Sequence, residues 1–124
     1  MRAPERLPAL RVVGAPEALD ELTVPDEHPV LRLAPDDLLV IGAASVEVAG
    51  ENLVVDDAGF VGWWLTPDEV RDLVVPHVDW PLPTARPALA QGLVAGVPAK
   101  LWLAEDRALL LCAAAYAHEL EERM

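Results

Sequence analysis

At 124 residues, 53% of them hydrophobic, the chain is long enough for one domain with a real core and too apolar to be disordered throughout. Twenty-one acids face nine bases for a formal net charge of -12, and the bases are scattered; this excludes nucleic acid and anionic membrane surfaces as expected partners. The longest apolar run, Ala108–Ala117, falls short of the roughly 20 residues that a membrane span needs.

In chain order, residues 1–27 are expected to be a proline-rich N-terminal arm, broken by Pro4, Pro8, Pro16 and Pro25. A short helix is expected over Pro16–Leu22, with Leu10, Val12 and Val13 offering a brief strand as the alternative. No apolar signal segment follows the arginines of the first ten residues, so the expected location is cytoplasmic. The bias to Ala, Arg, Val and Pro suggests a GC-rich bacterial source.

Residues 28–124 are read as a single α+β domain. Val30–Leu33 and Leu38–Ile41 predict a hairpin around the Pro35-Asp36-Asp37 turn. Val46–Val48 and Leu53–Val55 predict a second pair, and Phe60–Leu65 a further strand. Thr66-Pro67-Asp68-Glu69 is a helix start, with Thr66 as cap, Pro67 in the first turn and Glu69 reaching back. Pro76 ends that helix, and an extended proline-rich stretch follows to Pro83. Pro87–Val94 reads as a second helix, with Leu89, Leu93 and Val94 inward and Gly96 as its stop. Pro98–Ala104 and Ala108–Cys112 predict a hairpin, and Ala113–Arg123 a last amphipathic helix with Tyr116, Ala117, Leu120 and Met124 on one face. The expected architecture is therefore a small, mainly antiparallel sheet with about three helices packed on one face.

No established catalytic or phosphate-binding motif is present. His77 and Asp79 are the candidate catalytic pair. Two apart in an extended segment, they point the same way, and a carboxylate beside a histidine can orient it as a general base; the plainer alternative is a local hydrogen bond. His118 and Glu122 lie four apart on a helix, but two ligands do not make a metal site, and no metal or cofactor is expected. His28 is read as a strand-end histidine. The acidic pairs Asp36-Asp37 and Asp56-Asp57 are read as turn chemistry, and Cys112, the one cysteine, as core.

Four tryptophans stand against one Phe and one Tyr. Trp63 and Trp64 are consecutive on a predicted strand, so they face opposite ways and one needs a cover other than the core. Trp80, in the proline-rich loop, is expected to be an exposed anchor. With the acidic face of the last helix, the expected interface is Trp64, Trp80, His118, Glu119 and Glu122. The leading reading is a non-catalytic accessory or protein-binding subunit docking to a larger protein, with homo-oligomerisation also compatible. The alternatives are a small enzyme using His77 and Asp79 and a tryptophan-lined module for a small molecule.

The run Ala88-Leu89-Ala90-Gln91-Gly92-Leu93-Val94-Ala95-Gly96-Val97-Pro98-Ala99-Lys100-Leu101-Trp102-Leu103 resembles a segment of the sarcosine oxidase gamma-subunit family. So does Leu109-Leu110-Leu111 leading into Ala115-Tyr116-Ala117-His118-Glu119-Leu120, and Leu31–Ile41 fits more loosely. The resemblance spans about a third of the chain, and its positions are mostly small and apolar. It implies a helix leading to a strand over 88–103, kinship with aminomethyltransferase-type folate-binding domains, and a role as a small non-catalytic subunit of a larger oxidoreductase or demethylating complex. Ala90-Gln91-Gly92 stands where that family usually carries an arginine, so no folate-contacting residue is carried across.

Overall fold

The computed structural model describes residues 2–124. Its strands are β1 (Glu5–Arg6), β2 (Ala9–Gly14), β3 (Val30–Ala34), β4 (Asp37–Ile41), β5 (Asn52–Asp57), β6 (Phe60–Leu65), β7 (Ala88–Val94), β8 (Val97–Leu103) and β9 (Ala108–Ala113). The helices are α1 (Pro16–Asp20), α2 (Pro67–Glu69) and α3 (Ala117–Arg123). All strand pairings are antiparallel, so the chain has the expected α+β class. Among the described residues no helix is long and apolar enough to cross a membrane.

The chain divides into two compact units, one of residues 7–59 and one of residues 2–6 with 60–124. The expected division at residue 27 therefore gives way to one near the β5–β6 turn. Nor is 1–27 an arm: it contributes β1, β2 and α1. The reason lies in Leu10 and Val12. Both are buried, and their strand β2 sits between β4 and β5 in the sheet order β3-β4-β2-β5. Prolines at 4, 8 and 16 fall at or outside strand ends, where a missing N–H costs little.

The smaller unit packs Leu10, Val12, Leu38 and Val40 against Leu19 of α1. The hairpin β3–β4 forms as expected, with Val30 opposite Val40 and Leu31 opposite Leu39. The expected partner for 53–55 does not form. Val46 and Val48 stay in a loop that packs on this core, and β5 pairs with β2 instead. Asn52 holds the loop shut, its Nδ2 donating to the carbonyls of Val48 and Gly50 at 3.1 and 2.9 Å.

The larger unit is a five-stranded sheet in the order β1-β6-β9-β8-β7. One of its faces carries Trp63 and Leu65 of β6, Ala108, Leu110 and Cys112 of β9, Leu101 and Leu103 of β8, and Ala90 and Val94 of β7. Val70, Val74 and Leu120 cover that face from two helical segments. The first begins as α2, passes through a π turn at Val70–Val74 and ends in a 3-10 turn at Val75–His77. The second is a 3-10 turn at Ala114–Tyr116 followed by α3. Trp63 enters the core almost fully buried, and its Nε1 donates to the carbonyl of Arg2 at 2.7 Å.

The helix expected over Pro87–Val94 is the strand β7. Gly96 is the second residue of a hairpin turn rather than a helix stop. Ala95 and Gly96 both have positive φ (51° and 78°), which suits a tight two-residue connection between paired Val94 and Val97. The helix-to-strand order that the family resemblance implies for 88–103 is therefore a β7–β8 hairpin in this chain.

The helix start at Thr66 is formed as expected. The Thr66 hydroxyl accepts from the Glu69 N–H at 3.1 Å, and the Glu69 carboxylate accepts from the Thr66 N–H at 3.0 Å. Arg2 also donates to Glu69, and these contacts, Arg2 first, hold the Glu69 carboxyl below the usual carboxylate range. Thr66→Ala removes the cap and is expected to destabilise the chain by about 1 kcal/mol. Chemical denaturation should show a lower midpoint with an unchanged slope.

Candidate functional site

The residues expected to carry chemistry are dispersed. His77 closes the 3-10 turn and uses its carbonyl to accept from Ala95 N–H at 2.8 Å. No side-chain hydrogen bond or ion pair joins His77 to Asp79 among the described residues. His118 and Glu122 form an exposed pair at 3.1 Å, and Glu119 lies 3.8 Å from Arg123. These are ordinary neighbours on the solvent side of α3. Nδ1 of His28 donates to the carbonyl of Ile41 at 3.1 Å, which ties the ring to the end of β4. No cluster of three or more His, Cys, Asp or Glu able to hold a metal occurs among the described residues. Asp57 accepts from Gly59 N–H at 3.0 Å, as turn chemistry, whereas Asp37 accepts from Arg11 Nε at 3.0 Å and so ties β4 to the neighbouring strand β2.

The tryptophans have partners inside the chain. Trp64 lies on the face of β6 opposite to Trp63, and its ring meets Trp102 edge-on at 6.3 Å. The Arg107 guanidinium stands 4.6 Å from the Trp64 ring and 5.5 Å from that of Trp102, a cation–π arrangement. Trp80 does not stand out as an exposed anchor. Its half-buried ring lies down on β7 and packs on the core, with Nε1 donating to the Leu93 carbonyl at 3.1 Å. Gly92 makes this possible, because a Cβ there would fall 2.9 Å from the indole.

Two surfaces remain that could receive something. The first is a groove of about 420 Å³ on the larger unit, on the sheet face away from the helices. Phe60, Gln91, Leu93, Pro98, Lys100 and Tyr116 line it, with the fully buried Leu111 beneath them. Gln91 and Lys100 are cross-strand partners, and Lys100 Nζ donates to Gln91 Oε1 at 2.9 Å. Cys112 reaches this groove only from the core side. It is buried, and burial pushes its thiol above the usual cysteine range.

The second is the outer edge of the smaller unit's sheet. β5 is an edge strand, yet Leu53, Val54 and Val55 are 59%, 37% and 43% exposed, and Val13 beside them is exposed as well. A wide hollow next to it, lined by Val13, Leu53, Asp36, Glu51 and Asn52, extends the same surface.

Leu93 and Tyr116, expected on core-facing helical stripes, are instead exposed, and the sequence reading gives no role to Lys100 or to the exposure of 53–55. One signal was available: Lys100 is the only lysine of the chain, set in an otherwise apolar strand. Comparison with protein-family models, curated proteins and solved structures found no match.

Two outcomes follow from this geometry. Gly92→Ala should expel the Trp80 ring, giving a red-shifted tryptophan emission and a lower thermal midpoint. Cys112 should react with a thiol reagent only slowly in the native protein, and at the rate of a free cysteine once denaturant is added.

Proposed function

We propose that this chain is a non-catalytic, protein-binding accessory subunit that docks to a larger protein by strand addition at β5. The exposed apolar edge strand carries this reading. Folded proteins guard sheet edges with charge, proline or cover, because an open row of N–H and C=O groups invites pairing. Asp56 and Asp57 put charge only at the end of β5, and Leu53, Val54 and Val55 carry none of these guards, so this part of the edge is suited to a partner strand whose main chain gives affinity and whose side chains give specificity.

Charge selects the kind of partner. Glu51, Asp56 and Asp57 bracket the apolar triplet, and Asp36 lines the adjoining hollow. A second copy would bring the same acids to the same edge, and two chains of charge -12 repel. The partner segment is therefore an extended apolar strand flanked by Lys or Arg, on a different protein. The partner class implied by the gamma-subunit resemblance, a larger oxidoreductase or demethylating enzyme, belongs to the same proposal.

The test uses tagged full-length chain expressed in its source organism, with cross-linking and mass spectrometry. One stoichiometric partner is expected, with cross-links concentrated around residues 51–57. Leu53→Lys with Val55→Lys should release it without moving the thermal midpoint. Retention of the partner by that variant, or recovery of the wild type alone or as a homodimer joined at β5, would overturn the reading.

A further inference from the structure

We propose that the strand docking on β5 runs antiparallel to it and exchanges main-chain hydrogen bonds with Val54 and Asp56. It sets a Lys or Arg opposite Asp56, followed in the partner's chain direction by three consecutive apolar residues. This direction, register and side-chain pattern rest on the β5 docking reading.

The backbone determines the register. Hydrogen-bonded and non-hydrogen-bonded pairs alternate along an antiparallel ladder. Gly42 N–H donates to the Pro8 carbonyl at 2.8 Å, and Gly14 N–H donates to the Asp36 carbonyl at 3.1 Å. Both pairs continue the register of Leu10 with Val40 and Val12 with Leu38. Residues 8, 10, 12 and 14 therefore bond toward β4, which leaves Ala9, Arg11 and Val13 to bond toward β5. Their partners Asp57, Val55 and Leu53 turn their main-chain groups inward to β2. Val54 and Asp56 turn theirs outward from the sheet edge, and neither has a backbone partner outside the sheet among the described residues. Two N–H and two C=O groups are thus open, and only a strand in this register takes up all four. Antiparallel pairing of such groups is slightly more stable than parallel pairing.

The side chains then define the partner's pattern. Leu53 and Val55 share a face of the sheet with Val13, which lies directly opposite Leu53, and all three are exposed. Partner residues opposite Leu53 and Val55 point to that face and cover the patch when they are apolar. Val54 stands on the other face opposite Val12 and is exposed too, so the partner residue between them is also apolar.

Charge selects the next position. Asp57 is occupied by the Gly59 N–H at 3.0 Å. Asp56 is exposed, and no ion pair or side-chain hydrogen bond engages it among the described residues. A cation opposite Asp56 makes a favourable cross-strand pair. Two copies of this chain paired about Val54 would instead set Asp57 against Glu51, acid on acid.

The probe is the peptide acetyl-Thr-Lys-Val-Ile-Val-Thr-amide, which in this register sets Lys opposite Asp56 and Ile opposite Val54. It is added to isotope-labelled full-length protein, and amide hydrogen exchange is followed by NMR. In the free protein the Val54 and Asp56 amides should exchange quickly and the Val55 amide slowly. Saturating peptide should slow Val54 and Asp56 by about tenfold. Asp56→Lys should weaken this peptide about fivefold and strengthen its Lys-to-Glu counterpart by a similar factor. The reversed sequence, acetyl-Thr-Val-Ile-Val-Lys-Thr-amide, should bind more weakly to the wild type. Slow exchange of Val54 in the free protein, no protection of Val54 and Asp56 by the peptide, equal affinity of the reversed peptide, or indifference to Asp56→Lys would each overturn the proposal. The β5 reading itself survives such a result when Leu53→Lys with Val55→Lys still releases the captured partner, and both fall when that variant retains it.

Discussion

The larger unit is organised by β9, a central strand of six residues that are all apolar. A strand presents alternate residues to opposite faces, so β9 asks for cover on both sides of its sheet. On one side Ala108, Leu110 and Cys112 receive Val70, Val74 and Leu120 from the two helical segments. On the other, the register sets Leu109 between Trp64 and Trp102, and Leu111 lies fully buried beneath the groove. Both helices, the tryptophan pair and the groove are thus consequences of one uninterrupted apolar strand. Each fully buried leucine there contributes roughly 1.5–3 kcal/mol, which is more than any surface ion pair of this chain is expected to supply.

Elements were legible in the sequence where local chemistry alone determines them. The Thr66 box needs only four consecutive residues, and the β3–β4 hairpin needs only a turn between two apolar runs. β7 was not legible because its inward residues are Ala88, Ala90, Gly92 and Val94. Small side chains leave the two-residue period almost silent, whereas Leu89, Leu93 and Val94 happen to satisfy a helical one. The small residues are themselves required, since Trp80 occupies the space that a larger side chain at Gly92 would fill. β2 was legible only as a brief strand at Leu10, Val12 and Val13, offered as an alternative to the helix that also forms, and its central place was hidden for a different reason. Its prolines lie just outside the strand, and only the pairings to β4 and β5, both distant in sequence, show that it is central.

The same distinction applies to the candidate sites. His77 and Asp79 are neighbours in sequence, and the fold gives them no joint contact. Phe60, Lys100 and Tyr116 are far apart in sequence, and the order β6-β9-β8-β7 brings them to one groove. The charge behaves similarly. A net charge of -12 describes the chain, but its arrangement separates two surfaces of different character. Acids flank the open edge of β5, and no acid enters the groove. A basic, extended segment suits the first.

Tyr116 shows how a small change of backbone creates such a surface. In a continuous α-helix from 113 onward, Tyr116 and Leu120 would share a face, and both would cover the core. Leu120 does so, being fully buried, but Tyr116 does not. The segment opens with a 3-10 turn over Ala114–Tyr116, and Tyr116 then sits at the cap of α3 with φ −101° and ψ −3°. A 3-10 turn has three residues per turn rather than 3.6, so its side chains leave the stripe of the helix that follows. The phenol ring is released from the core and stands at the groove beside Leu93 and Lys100. The 3-10 turn thus converts a core position of the sequence pattern into an exposed aromatic one at the groove.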